Sequence, residues 1–310
     1  MQHFIDPKTL ARINDLPLAA KTIAEGFLFG IQQSMQRGIG IEFSQYRAYE
    51  VGDAINRIDW KLFARSDRYY IREADRESEI DIWFLLDSSL SMKQSSESKA
   101  ELKNKGSNWN KFKYAKYLIA SLSYIAQKQG DGFGYLSLND NQSSNNGNRF
   151  LPIGNAIRQW QKLLVSLAKT ELGQFFPNVS LLQRQLENIK KPSIIFVISD
   201  FYQKNDEILN FLGKINTSLS EVVALQLTCE DELSFNYKGS VRFKDLETNQ
   251  EKLVSAKEVK QNYLQELQTY QKNLQQQLTD KGISLQTLNI DKPLNEALFN
   301  YLRIRNRVSR

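Results

Sequence analysis

Five short runs rich in branched and aromatic residues, at 80–86, 132–138, 193–199, 221–228 and 283–290, alternate with helical patterns at 110–128, 157–169, 181–189, 207–215 and 259–278. Such alternation leaves few folds open. Each strand has to return to the same sheet through a helical crossover, which predicts an α/β domain with a doubly wound, mainly parallel sheet. The runs SIIFVIS and WFLL are continuously apolar, as strands covered on both faces require. In the long helix, Val259, Tyr263, Leu267, Tyr270, Leu274 and Leu278 recur at spacings of three and four and form one apolar stripe. The repeat is short for a coiled coil, so the stripe is expected to lie on the sheet. A final helix at 294–302 closes the chain. Two additions break the rhythm. The polar stretch NDNQSSNNGN reads as a turn leading to a short strand at 149–153, and 234–254 reads as a hairpin with turns at Lys238-Gly239 and 247–250.

The first 76 residues follow a different pattern. Residues 7–36 are helical in periodicity, and 39–73 are dense in aromatics, arginines and aspartates. The expected organisation is an N-terminal helical and extended segment over 1–76, the α/β domain over 77–305 with its inserted hairpin, and a basic tail at 306–310.

Composition removes several functional classes. Cys229 is the single cysteine, which rules out an internal disulfide and fits a reducing compartment. His3 is the single histidine and lies near the N-terminus, where disorder is common, which argues against both a His-rich zinc site and a Ser-His-Asp triad. The start MQHFIDPKTL lacks the layout of a signal peptide. Lys21 and Glu25 interrupt the best apolar stretch well short of the roughly 20 residues that span a bilayer. A cytoplasmic protein without a membrane span is expected. No GxxxxGK[ST] loop occurs, since Gly213-Lys214 is followed by Ile215, and nucleotide hydrolysis by this chain is set aside.

The net charge of +6 raises the question of nucleic acid. Much of the excess sits in two places. Residues 93–116 carry seven lysines against Glu97 and Glu101, and the last eight residues carry Arg303, Arg305, Arg307 and Arg310. Both lack the interleaved aromatics of a single-strand platform, apart from Trp109 and Tyr114. They read as a solvated loop and a tail, the loop suited to drawing in an acidic partner.

The chemistry gathers at strand ends. In IDIWFLLDSSLSMK a buried run stops at Asp87, and Ser89 and Ser91 follow at alternate positions, so a curving loop can aim three oxygens one way. Asp200 ends SIIFVIS in the same manner. If the two strands are neighbours, the carboxylates meet in the crevice where ligands of open parallel sheets collect. Two carboxylates with neutral hydroxyls suit a hard divalent ion, above all Mg²⁺, with Mn²⁺ or Ca²⁺ as alternatives. The same serines would also serve simply to cap a turn.

The segment Asp87-Ser88-Ser89-Leu90-Ser91 resembles the DxSxS element of the metal-ion-dependent adhesion site (MIDAS) of von Willebrand factor A domains, and Asp200 in VISDF resembles the aspartate after that fold's fourth strand. The resemblance implies a third loop with a threonine before a helix. Here Ser180 in FPNVSLLQRQL is the best match, ahead of a segment with Leu182, Leu186 and Ile189, and Thr170 is the weaker candidate. The N-terminal stretch GIGIEFSQYRAYEVGDAINRIDWKLFARSDRYYIRE is similar to the signature of DUF58 proteins, through Glu42, Phe43, Arg47, Tyr49, Gly52, Asp53, Arg57, Asp59, Trp60, Ala64 and Arg65. VRFKDLETNQE resembles the hairpin of that family. Six basic and six acidic residues balance within the signature, which suits arginine–carboxylate pairing over phosphate binding, with Trp60 expected as a buried anchor.

The resemblance implies a von Willebrand factor A-like fold and a non-enzymatic adaptor. Its metal, held by Asp87, Ser89, Ser91, Ser180 and Asp200, would capture a carboxylate from a MoxR-type AAA+ ATPase or an acidic client. Two alternatives stand beside it. A haloacid-dehalogenase-like phosphotransferase also places an aspartate after its first strand, but needs a second one where this chain has Ser89. Nucleic-acid binding would rest on the basic loop and tail alone.

Overall fold

The computed structural model describes residues 15–36, 46–49, 60, 63, 68–72, 80–95, 109–139, 150–155, 157–173, 176–177, 192–202, 206–244 and 250–308. The chain divides into two compact units, one of Met1–Ala24 with Ile80–Arg310 and one of Glu25–Glu79. Helix α1 (Leu16–Gln36) starts where the Leu18 amide donates to Asp15 Oδ1 at 3.0 Å. That side chain accepts one of the amides a helix start leaves unpaired.

In the smaller unit, strands β1 (Tyr46–Ala48) and β2 (Tyr70–Arg72) pair antiparallel. The Phe63 and Tyr69 rings stack at 4.5 Å, and Tyr49 meets Tyr69 edge-on. Trp60 departs from expectation. It is 56% exposed and touches Phe63 edge to face, so it is not the buried anchor its size suggested.

The larger unit runs as β3 (Asp81–Asp87), a 3₁₀ turn (Leu90–Lys93), α2 (Lys111–Lys128), β4 (Gly132–Leu138), β5 (Phe150–Gly154), α3 (Ile157–Lys169), β6 (Ser193–Ser199), α4 (Glu207–Ile215) and β7 (Ser220–Thr228). It continues through a short helix α5 (Glu230–Ser234), the hairpin β8 (Ser240–Lys244) and β9 (Glu251–Ser255), then α6 (Ala256–Asp280), β10 (Ser284–Asn289) and α7 (Asn295–Val308). The expected helix at 181–189 lies outside the described residues.

Six strands form one sheet in the order β10-β7-β6-β3-β4-β5. All neighbours are parallel except the β4–β5 pair at the edge. This is the doubly wound α/β sheet expected from the alternation. The chain moves outward from β3 through β4 to β5, then returns to build β6, β7 and β10 on the other side. The order therefore reverses between β3 and β6, at the sheet's centre.

Alternation along each strand divides the core. Trp83 and Leu85 of β3, with Ile195 and Val197 of β6, face Phe211 and Leu212 of α4 and Leu274 and Leu278 of α6. On the opposite side Phe84 stacks on Phe196, which meets Tyr301 of α7. Every residue of β6 is buried, which accounts for its unbroken apolar sequence. The stripe of α6 meets expectation, with Leu267, Leu274 and Leu278 buried, Tyr270 packed on the sheet core, and Tyr263 against Phe235 near the hairpin. Gly130 and Gly282 follow α2 and α6 with φ of 79° and 69°. This left-handed backbone ends helices at little steric cost only in glycine. Among the described residues no helix is long and apolar enough to cross a membrane.

Candidate functional site

Strands β3 and β6 pair in register from Asp81↔Ser193 to Leu86↔Ile198. That register puts Asp87 level with Ser199 and Asp200 one residue further, so the two carboxylates share the carboxyl edge at the switch point. Both are buried, at 0% and 1% exposure. Asp87 Oδ1 accepts from the Ser89 amide at 2.9 Å and Oδ2 from Ser199 Oγ at 2.5 Å. Burial pushes the Asp87 carboxyl up to about 6, and the Asp200 charge adds to this, against the bonds from Ser199 and Ser89.

The alternate serines reach the same edge. Ser89 Oγ and Ser91 Oγ are 3.0 Å apart, and Ser91 Oγ donates to Asp200 Oδ1 at 3.2 Å. The 3₁₀ turn that begins at Leu90 has no side-chain cap from Ser89. Capping the turn is thus not the task of that hydroxyl. Asp87, Ser89, Ser91 and Asp200 come together as the sequence led one to expect, and Ser180 lies outside the described residues. Thr170 is otherwise engaged. Its hydroxyl donates to the Ser166 carbonyl at 2.7 Å and accepts from Tyr135 at 3.0 Å, closing the end of α3. The backbone of that loop does approach the site, since the Gly173 amide donates to the Ser88 carbonyl at 2.7 Å.

The chain after Asp200 is strained. Phe201 is buried with φ of 62°, a left-handed conformation that costs a non-glycine residue about 1–3 kcal/mol. Its amide donates to Ser199 Oγ at 2.9 Å and its carbonyl accepts from Tyr270 at 2.5 Å. These bonds hold the turn that aims Asp200 at the serines.

Residues 45–273 match the model of DUF58, a protein family of unknown function. This chain belongs to the DUF58 family. Uncharacterized proteins of Mycobacterium tuberculosis and Mycobacterium bovis are 32% identical to it over 87 residues, 28% of this chain. The match spans 27% of those relatives, about a quarter of their length. Among solved structures, BatB from Bacteroides thetaiotaomicron aligns with 74% of this chain and 98% of its own at 12% identity, with a TM-score of 0.45. A von Willebrand factor type A protein from Catenulispora acidiphila aligns with 49% of this chain and 34% of its own at 9% identity, with a TM-score of 0.32.

In this DUF58 protein the site holds two further charges that sequence reading missed. Lys111, the first residue of α2, is fully buried. Its ammonium lies 2.7 Å from Glu232 Oε1 and 3.4 Å from Asp200 Oδ2. Glu232 Oε2 accepts the Cys229 amide at 2.7 Å, so the start of α5 fixes this carboxylate in place. Burial alone would depress the Lys111 ammonium, but Asp200 and then Glu232 more than reverse this and hold it above the ordinary lysine value. Burial pushes Glu232 up, against the attraction of Lys111.

The lysine-rich stretch is therefore not one solvated loop to 116. Lys93 is exposed, but Lys111 belongs to the core, and Lys116, half-buried in α2, donates to the Thr170 carbonyl at 2.8 Å. The signal in the sequence was Asn110, whose side chain accepts the Lys113 amide at 2.8 Å and starts the helix there.

Proposed function

We propose that this DUF58 protein is a cytoplasmic, non-enzymatic, metal-dependent protein-binding adaptor. It acts with a MoxR-type AAA+ ATPase in chaperone-like assembly or maturation of protein complexes. One observation carries the reading. Ser89 Oγ, Ser91 Oγ and Asp200 Oδ1 form a connected set beside buried Asp87 at the switch point of the sheet.

The residues fit a hard divalent cation. Among the described residues no group of three or more His, Cys, Asp or Glu is arranged for a metal, so the set has to draw on hydroxyls. Hydroxyls add oxygen ligands without charge, which suits Mg²⁺ or Mn²⁺. The three carboxylates of Asp87, Asp200 and Glu232 against the one ammonium of Lys111 leave a formal charge of −2 for a cation to balance. Asp87, Ser89, Ser91 and Asp200 would hold it, with Ser180 as the further donor. Such an ion supplies an open coordination position that takes a carboxylate oxygen.

The chain's own residues then do the rest. Ser199 and the Ser89 amide orient Asp87, Tyr270 holds the turn after Asp200, and an Asp or Glu of the partner completes the site. Ser89 stands where a haloacid-dehalogenase-like enzyme needs its general acid, so the adaptor reading is preferred to the phosphotransferase.

Surface plasmon resonance against a MoxR-type ATPase, with Mg²⁺ and with EDTA, tests the proposal. Binding should need the ion and be lost in Asp87→Ala. Full binding in EDTA ends the metal-bridge reading, and Mg²⁺-dependent hydrolysis of a generic phosphate ester would favour the enzyme.

A further inference from the structure

Lys111 stands in an unfavourable place twice over. It occupies the first turn of α2, where the helix dipole already presents partial positive charge. It is also fully buried, and an ammonium taken out of water is costly unless paired and hydrogen-bonded. A residue that breaks both rules is held by what faces it, and here that is the candidate site itself.

The pairing is unequal. Glu232, anchored by the Cys229 amide, takes the close contact at 2.7 Å, and Asp200 takes the longer one at 3.4 Å. Asp200 is divided between two neighbours, with Oδ1 toward Ser91 and Oδ2 toward Lys111. Its negative charge is thus shared between the hydroxyl side of the site and an ammonium that cannot leave. The ammonium also lies 5.1 Å from the centre of the Tyr202 ring, which closes it in.

We propose that Lys111 is a built-in cation of the site, one that lowers its affinity for a divalent ion so that the ion is held firmly only once a partner's carboxylate joins it. The inference rests on the metal-site reading above and assigns that site its regulation. A fixed positive charge beside Asp200 repels an incoming cation and weakens the carboxylate's attraction for it. A partner's carboxylate places a negative charge directly on the ion and offsets the repulsion from Lys111. Metal and partner then bind each other's complexes more tightly than either binds the protein alone, and by linkage the coupling is reciprocal.

Calorimetric titration with Mn²⁺ alone tests this in the full chain. Lys111→Met should bind Mn²⁺ at least about tenfold tighter than the parent, because one unit of repulsion is gone. Glu232→Gln should bind several-fold weaker, since Lys111 then turns wholly to Asp200. Lys111→Met can leave two carboxylates buried without a counter-ion, so the comparison is repeated in a background that removes one of them. Lys111→Met with Glu232→Gln should bind at least about tenfold tighter than Glu232→Gln alone. Equal affinities within both pairs, with the parent still binding, overturn the role of Lys111 and leave the metal site standing. No Mn²⁺ binding in the parent or any variant overturns both.

Discussion

Ser199 Oγ donates to Asp87 Oδ2 at 2.5 Å and accepts from the Phe201 amide at 2.9 Å. One hydroxyl therefore links the carboxylate that ends β3 to the strained turn that follows β6. The two strand ends behave as one unit, and a change at either should be felt at the other.

Removing the Tyr270 hydroxyl tests that link. Tyr270→Phe leaves the Phe201 carbonyl without its 2.5 Å donor. The loss should cost about 1 kcal/mol of stability, and looser aim of Asp200 should weaken Mn²⁺ binding several-fold. Thermal melts and Mn²⁺ calorimetry on the same sample check both parts. Unchanged metal affinity with a lowered Tm would confine Tyr270 to a packing role.

The Asp87 carboxyl gives the metal-free protein a pH signature. Its folded value is raised from the ordinary 3.8 to about 6, by burial first and Asp200 second. A raised carboxyl favours folding only while protonated. Its contribution is full below about pH 4 and is lost as pH rises through 6. In EDTA, stability should therefore fall between pH 4 and 6.5 relative to Asp87→Asn, which has no proton to lose there. Urea titrations across this range measure the difference, and parallel curves would contradict the shift.

Gly134 sits where no side chain fits. A Cβ there would meet Trp83 Cζ3 at 2.8 Å and the Leu151 carbonyl oxygen at 2.9 Å. The Trp83 ring stacks on Phe150 at 5.8 Å, and the Leu151 carbonyl belongs to the paired backbone of β5 and cannot swing aside. Gly134→Ala should cost about 1–3 kcal/mol, the usual penalty of overpacking. A shift in the denaturant midpoint with unchanged slope is the expected result.

Trp60→Ala should matter little for folding. With the ring 56% exposed and edge-on to Phe63, the loss should stay below about 1 kcal/mol. If the variant melts like the parent yet loses affinity for a MoxR-type ATPase, the signature contributes a contact surface. A collapse in Tm would restore the anchor role that the sequence alone suggested.

Residue order alone determined the sheet and half of the site. Continuous apolar runs such as SIIFVIS have one stable outcome, a strand buried on both faces, and polar residues at their ends have to emerge at the carboxyl edge. Asp87 and Asp200 were legible for that reason, and so were Ser89 and Ser91, two and four residues on. Lys111 and Glu232 were not. Lys111 meets Asp200 across 89 residues and Glu232 across 121, and Asn110 marks where a helix starts but not that one lysine among seven is buried. That choice was made by the strand order, which sets β6 beside β3, by Asn110, which starts α2 with Lys111 facing inward, and by α5, which brings Glu232 to it. Burial of a charge depends on which distant charge lies within a few ångströms, because only a partner at that range can offset the loss of water. Chain order sets which groups are available to pair, and packing alone decides which of them do.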